Sequence, residues 1–212
     1  MLKNFLIVIT LSMLCSCTRH YIPKTGDLVF QDIDCGELCD AIEKVTQGVD
    51  GTHLSHVGII SVENDTAFVY EAIGPGVIKT KFVKFLDRSK DIQGKPKVLA
   101  GRINKKYDYC IDSAIQLCRK LLNKPYDDAF DLDNQSYYCS ELVYYAFKDS
   151  SGHKLFNAEP MTFKDPETGI TFKAWDKYYN NLEVPVPEGK PGLNPGGISR
   201  SPIIQIIFKF YE

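Results

Sequence analysis

The chain has 212 residues, 44% of them hydrophobic, enough for one domain with a real core and too few for two. Its net charge is −2, and it shows no basic field of the kind that nucleic-acid binding needs, so that partner class is set aside.

The first segment reads as export machinery rather than fold. "MLKNFLIVITLSMLCSC" carries Lys3 and then an apolar run of about a dozen residues, the length of a signal core rather than of a membrane span. It ends in Leu14-Cys15-Ser16-Cys17, which resembles the bacterial lipobox. The resemblance implies a lipoprotein signal over residues 1–17 with Cys17 as the lipidated position, a tether over 18–24 and a single domain over 25–212. Thr18 follows, not aspartate, which in the enterobacterial sorting scheme implies the outer membrane, facing the periplasm. The alternative is a plain secretory signal with incidental cysteines. Setting Cys15 and Cys17 aside leaves five of seven cysteines, and an odd number in an oxidising compartment implies at least one free thiol.

"GDLVF" (26–30) predicts a short strand, and "CGELCDAIEKVTQG" (35–48) a helix ending at Gly48. Within it Cys35 and Cys39 stand one helical turn apart, where a bridge is conceivable but strained. "SHVGIISV" (55–62) is β-branched and apolar on both faces, as a central strand is; "ENDT" turns the chain and "AFVYEAIG" (67–74) returns. "GVIKTKFVKFL" continues the sheet or its edge, and "KVLAGRI" (97–103) adds a strand. "YDYCIDSAIQLCRKLLN" (107–123) is a helix with Cys110 and Cys118 on its apolar stripe. At a spacing of eight they are roughly 12 Å apart along the axis and cannot pair. "KPYDDAFDLDNQS" is an acidic loop, "YYCSELVYYAFK" a second helix, 151–200 a Pro-, Gly- and aromatic-rich irregular stretch, and "PIIQIIFKF" (202–210) a last strand.

Three residues carry the chemistry. Cys139, Leu142, Val143, Ala146 and Phe147 recur at helical spacing, so Cys139 lies on the inward face. If Asn134 or Ser136 caps this helix, Cys139 falls in its first two turns, where free N–H groups and the helix dipole favour a thiolate. A buried structural cysteine is the competing reading. Among His20, His53, His56 and His153, only His56 opens a central strand. If Val62 opposes Ala67 across the hairpin, Gly58 faces Glu71. His56 and Glu71 are then diagonal neighbours with Cβ atoms roughly 7 Å apart. Glu71 is otherwise misplaced inside "FVYEAI", since buried carboxylates need a partner. A one-residue slip in register would separate the two.

"GDLVF", "AIEKVTQ…SHVGII", "VYEAI" and "KPYDDAF…YYCSELVYYAF" together resemble the YiiX/YaeF-like family, permuted papain-like enzymes related to the NlpC-type cell-wall peptidases. The resemblance covers about residues 25–150, with "SHVG" before "YCSELV" as its specific part. It implies an α+β, circularly permuted papain-like (NlpC-type) fold, an antiparallel sheet packed against helices. It also implies Cys139 as nucleophile, His56 as general base and then acid, Glu71 as the residue orienting the imidazole, and Tyr126 as oxyanion donor or pocket lining. The Cys35/Cys39 pair lies outside the family pattern.

The expected activity is a cysteine amidase or peptidase working through an acyl-enzyme, without cofactor or metal, on cell-wall peptides or related amino-acid amides. The acidic loop beside Cys139 suggests a substrate with a free amine. Three rivals are open. Cys35, Cys39, His53 and His56 superficially form a zinc set, but two residues between the histidines fall short of the usual spacing. The same triad serves lipid-ester hydrolysis or acyl transfer, as in the lecithin:retinol acyltransferase-like proteins. A catalytically silent, ligand-binding lipoprotein is the third.

Overall fold

The computed structural model describes residues 20–212; Cys17 and the signal segment expected over 1–17 lie outside the described residues. Its centre is a six-stranded sheet in the order β4-β3-β2-β1-β5-β8, every neighbouring pair antiparallel. The strands are β1 (Leu28–Gln31), β2 (His56–Glu63), β3 (Thr66–Ile73), β4 (Gly76–Lys81), β5 (Val98–Ile103) and β8 (Ile204–Lys209). A separate two-residue ladder joins β6 (Glu159–Pro160) to β7 (Pro191–Gly192). The mixture of helices with an antiparallel sheet is the expected fold class.

Strand alternation sorts the core into two layers. On one face Leu28, Phe30, Val57, Ile59, Tyr70 and Leu99 pack against α3 (Ile111–Leu121) and α4 (Cys139–Ala146). On the other, Val29, Ile60, Val69, Val98 and Ala100 pack against Phe82 and Phe85 of α2 (Phe82–Asp87). The sequence reading carried the sheet through this α2 segment. Instead the two phenylalanines sit three apart and both are buried, which only a helical turn achieves here. Cys110 and Cys118 are buried free thiols, as their stripe implied.

Packing reaches into the segment expected as a tether over 18–24. Tyr21 stacks against Phe82, Phe208 and Phe210 and donates from its hydroxyl to Asp27 Oδ2 at 2.8 Å. Asp27, itself buried, is held from the other side by Arg102 at 2.7 and 2.8 Å.

The irregular C-terminal stretch contains two helices that the sequence reading missed. α5 (Lys173–Asn181) buries Trp175 and Tyr179 against Ala41 and Phe163. α6 (Pro195–Ser199) has Pro195 at its first position and Asn194 as its cap, Oδ1 accepting from the Gly197 N–H at 2.6 Å. The stripe of α5 is aromatic rather than aliphatic and sits among proline and glycine, so its helical period was hidden.

Cys35 and Cys39 are joined as a disulfide with Cα atoms 5.3 Å apart. Helix α1 (Glu37–Val45) starts only after Gly36, whose φ of 78° breaks the helix; Cys35 therefore lies outside it. The bridge therefore spans the helix start instead of a turn within the helix.

Candidate active site

The hairpin of β2 and β3 adopts the register on which the His–Glu pairing depended, with Val62 opposite Ala67 and Ile59 opposite Tyr70. His56 Nε2 lies 2.6 Å from Glu71 Oε2. Gly58 stands between them in sequence with no room for more: an added Cβ would meet Val69 Cγ1 at 2.3 Å and Glu71 Cβ at 3.4 Å.

Glu71 is completely buried, and its carboxylate accepts four bonds. Arg88 donates Nη1 to Oε2 at 2.8 Å and Nη2 to Oε1 at 2.7 Å, and Thr80 Oγ1 donates to Oε1 at 2.5 Å. His56 supplies the fourth. Burial alone would push the Glu71 carboxyl up; Arg88, His56 and Thr80 outweigh it and hold the group down at about 2. Arg88 was missed by the sequence reading. A signal was present, because a neutral imidazole cannot balance a carboxylate inside an apolar strand and a cation was required somewhere. Gln31 extends the network, donating to the Phe85 carbonyl at 2.7 Å and accepting from Arg88 at 3.4 Å.

Cys139 is the first residue of α4, closer to the helix start than the caps at Asn134 or Ser136 implied. Asn134 instead closes a turn, its Oδ1 accepting from the Ser136 N–H at 2.7 Å, and Tyr138 is the N-cap residue. Glu141 reaches back to accept from the Tyr138 N–H at 3.2 Å. Burial pushes the Glu141 carboxyl up to about 8, with Asp127 and Asp131 adding to it against that hydrogen bond. Leu142, Val143, Ala146 and Phe147 are all buried beneath the helix, so α4 is fixed against the sheet.

His56 and Glu71 lie on the α2 face, whereas α4 covers the opposite face. The two halves meet because His56 is the first residue of β2, where its ring stands at the strand end close enough to the Cys139 thiol for each to shift the ionisation of the other. With Nε2 committed to Glu71, Nδ1 is the nitrogen left for sulfur. Burial opposes ionisation of both partners, and each outweighs it for the other. The thiol falls below its ordinary range, helped by the Val57 backbone N–H, and the imidazole rises to about 9. Each partner thus favours the ionised form of the other, thiolate beside imidazolium.

A cavity of about 150 Å³ opens beside the sulfur, lined by Cys139, Tyr126 and Tyr138 among others. Gly76, at φ 139°, has room for no Cβ, which would lie 2.0 Å from the Lys124 carbonyl oxygen; this close approach seats the loop that carries Tyr126. Burial and the neighbouring Cys139 thiolate raise the Tyr126 phenol well above its usual range, so it stays a neutral donor. Tyr138 links the site to the C-terminal segment, its hydroxyl accepting from the Leu193 N–H at 3.0 Å. The aspartates of the acidic loop do not line this space. Asp127 is buried and caps the Ala129 and Asp131 amides at 3.0 and 2.6 Å, and Asp128 accepts from Tyr178 at 3.1 Å.

The other histidines stay outside. His53 is exposed and faces Glu43 at 3.1 Å, and His153 faces Asp149 at 3.3 Å in an exposed loop. The suggested zinc set is broken up, since both of its sulfurs are in the disulfide.

Two likenesses bear on the fold. The chain is 25% identical over 185 residues, 86% of each chain, to the uncharacterized protein YiiX of Escherichia coli strain K12. The crystal structure of metalloprotein yiiX from Escherichia coli O157:H7 superimposes with a TM-score of 0.71 at 23% identity, covering 89% of this chain and 98% of that one. A metal does not fit the residues here. The four acceptor positions of Glu71 are taken, and among the described residues no three His, Cys, Asp or Glu side chains are grouped to hold an ion. Residues 22–208 match the model of the permuted papain-like amidase enzymes, YaeF/YiiX, C92 family, and the chain belongs to that family of cysteine amidases and peptidases.

Proposed function

We propose that Cys139, His56 and Glu71 form the catalytic triad of this amidase. The observation that carries the reading is the convergence of a helix-start thiol with an imidazole held by a buried carboxylate. The Cys139 thiolate attacks the amide carbonyl, and the first N–H groups of α4, which have no acceptor within the helix, face the developing oxyanion. Tyr126 is the second donor candidate on the cavity wall. The His56 imidazolium gives its proton to the departing amine; the neutral ring then takes one from water, which releases the acyl group from sulfur. Glu71 keeps the ring in the tautomer and orientation that both steps need.

Cell-wall peptides and related amino-acid amides are the substrate class that the NlpC-type resemblance supports. The lipobox supports an envelope enzyme tethered to the outer membrane through Cys17. A lipid ester on the same triad is the second reading, favoured by the apolar wall beside the sulfur. Acyl-enzyme formation with peptidoglycan stem peptides against phospholipid separates the two.

The triad is tested by iodoacetamide at neutral pH. Selective labelling of Cys139 over Cys110 and Cys118, with the rate falling at least tenfold in His56→Ala, is the expected result. Cys139→Ala is expected to lower amide hydrolysis by about 10³-fold or more. Equal labelling of several thiols would overturn the assignment.

A further inference from the structure

The N-terminal end of the described chain is pinned to one place on the surface. Tyr21 stacks on Phe82, Phe208 and Phe210 at centroid separations of 5.8, 5.8 and 5.5 Å, and its hydroxyl is held by the buried Asp27. Cys17, the lipidated position that the lipobox implies, precedes Tyr21 by four residues, about 14 Å of fully extended chain. A domain of this length is about 40 Å across. So short a link cannot bring the far side of the domain to a bilayer. The face around Tyr21 is the one that meets it.

That face has the composition such a contact needs. Ile22 and Val83 are 73% and 62% exposed, although their neighbours Tyr21 and Phe82 are packed. Isolated exposed aliphatic residues are ordinary on protein surfaces. Here the Tyr21–Phe82 ring contact brings two of them to one place. Lys81 and Lys84, on either side of Val83, are exposed as well. Asp87, the one acidic residue of α2, is paired with Lys90 at 2.7 Å and does not offset them. Apolar side chains that enter the acyl boundary, beside lysines that meet anionic headgroups, make a surface that lies on a membrane.

The sheet register sets where the reacting groups then stand. Lys81 pairs with Phe68 and Phe68 with Ser61, five residues along β2 from His56, a distance of about 17 Å.

Resting on Cys17 as the lipid anchor, we propose that the face formed by Ile22 and the start of α2 lies on the anionic surface of the anchoring bilayer. The acyl chains supply attachment, and this face supplies orientation, holding the His56 end of the sheet off the membrane. A phospholipid of that bilayer would have to leave it to reach Cys139, so docking favours the peptide substrate over the lipid ester.

The test uses the full chain, exported and lipidated in a bacterial host, in vesicles of phosphatidylethanolamine and phosphatidylglycerol with brominated acyl chains, which quench an indole on contact. The single native tryptophan, Trp175, is buried against Phe163 and Tyr179 and serves as the internal control. An indole added by Val83→Trp or Ile22→Trp is expected to lose about half of its emission, whereas Trp175 and an indole added by Lys120→Trp on α3 should lose less than about a tenth. Lys81→Glu combined with Lys84→Glu should lower the quenching seen with Ile22→Trp by about twofold or more. Equal quenching on both faces, or quenching with Lys120→Trp alone, in protein whose Cys17 carries acyl chains by mass spectrometry overturns the docked face and leaves the anchor standing. An indole at Val83→Trp that is unquenched by the lipid yet shielded from acrylamide means that a second copy or another protein covers this face, which also overturns the proposal. Cys17 without acyl chains overturns the anchor and the docking together.

Discussion

The two sides of the sulfur are built on opposite principles. On the sheet side, Glu71 has every acceptor position filled, by His56, Arg88 and Thr80, and nothing there is free to move without breaking a charge-assisted bond. On the cavity side, the wall is assembled from α1, a loop and the C-terminal segment, held by packing and by single contacts such as Tyr138 to Leu193. In the proposed triad the first side tunes the protonation of the groups that would react, and the second lines the approach to them. Changes on the sheet side should therefore alter stability and pH dependence, and changes on the cavity side should alter substrate preference.

The largest expected effect outside the triad itself is at Arg88. Its removal leaves Glu71 buried with only the imidazole and one hydroxyl as partners. Breaking a buried pair costs about 3–5 kcal/mol; because Arg88 is 24% exposed and water can enter, we expect about 3 kcal/mol for Arg88→Met. Thermal or denaturant unfolding measures it. Adding Glu71→Gln should recover part of the loss, since the uncompensated charge goes with it, and a double-mutant cycle without such coupling would disprove the account.

Next is the disulfide, which braces the start of α1 and so the helix that supplies Ile42 and Val45 to the cavity. Closing so short a loop restricts the unfolded chain by about 2 kcal/mol. The double substitution Cys35→Ser with Cys39→Ser should lower stability by that order while leaving the alkylation rate of Cys139 by iodoacetamide within about twofold. A large change in that rate would mean that the two sides are not separable.

What was legible beforehand follows the same division. His56, Glu71 and Cys139 were found because strand alternation, hairpin register and helical period place side chains by counting along the chain, and a charge in "FVYEAI" stands out against its neighbours. Arg88 escaped because it follows α2, a segment taken for sheet, and no period relates it to Glu71. The cavity wall escaped almost entirely. Trp175 and Met161 reach it from a stretch rich in proline and glycine, where partners are chosen by tertiary packing rather than by local pattern. The acidic loop misled for a related reason: a run of aspartates reads as a charged surface, yet Asp127 is turned inward to cap backbone amides.

A smaller effect separates the sides by pH. The imidazole of His56 is raised above its ordinary value, to about 9, so the imidazolium proposed as general acid persists through neutrality and is lost as pH rises through 9. The pH profile of kcat/KM should fall about tenfold per unit above that point. Stability has the same sign: the contribution of this pair is complete below pH 6.5 and disappears as pH climbs through 9. Val45→Phe, on the cavity side, should leave the alkaline limb where it is. Arg88→Met, on the sheet side, should move it.

The smallest effect is expected at His53, and it is informative because the residue sits only three positions before His56. Its side chain is 65% exposed, whereas the Glu43 side chain it meets on α1 is 13% exposed. A pair whose histidine stands in solvent contributes about 0–1 kcal/mol. His53→Ala should change stability by less than about 0.5 kcal/mol and leave kcat/KM within twofold. A loss comparable to that of His56→Ala would tie His53 to the chemistry and reopen the metal-site reading, against the disulfide that now holds both of its sulfurs.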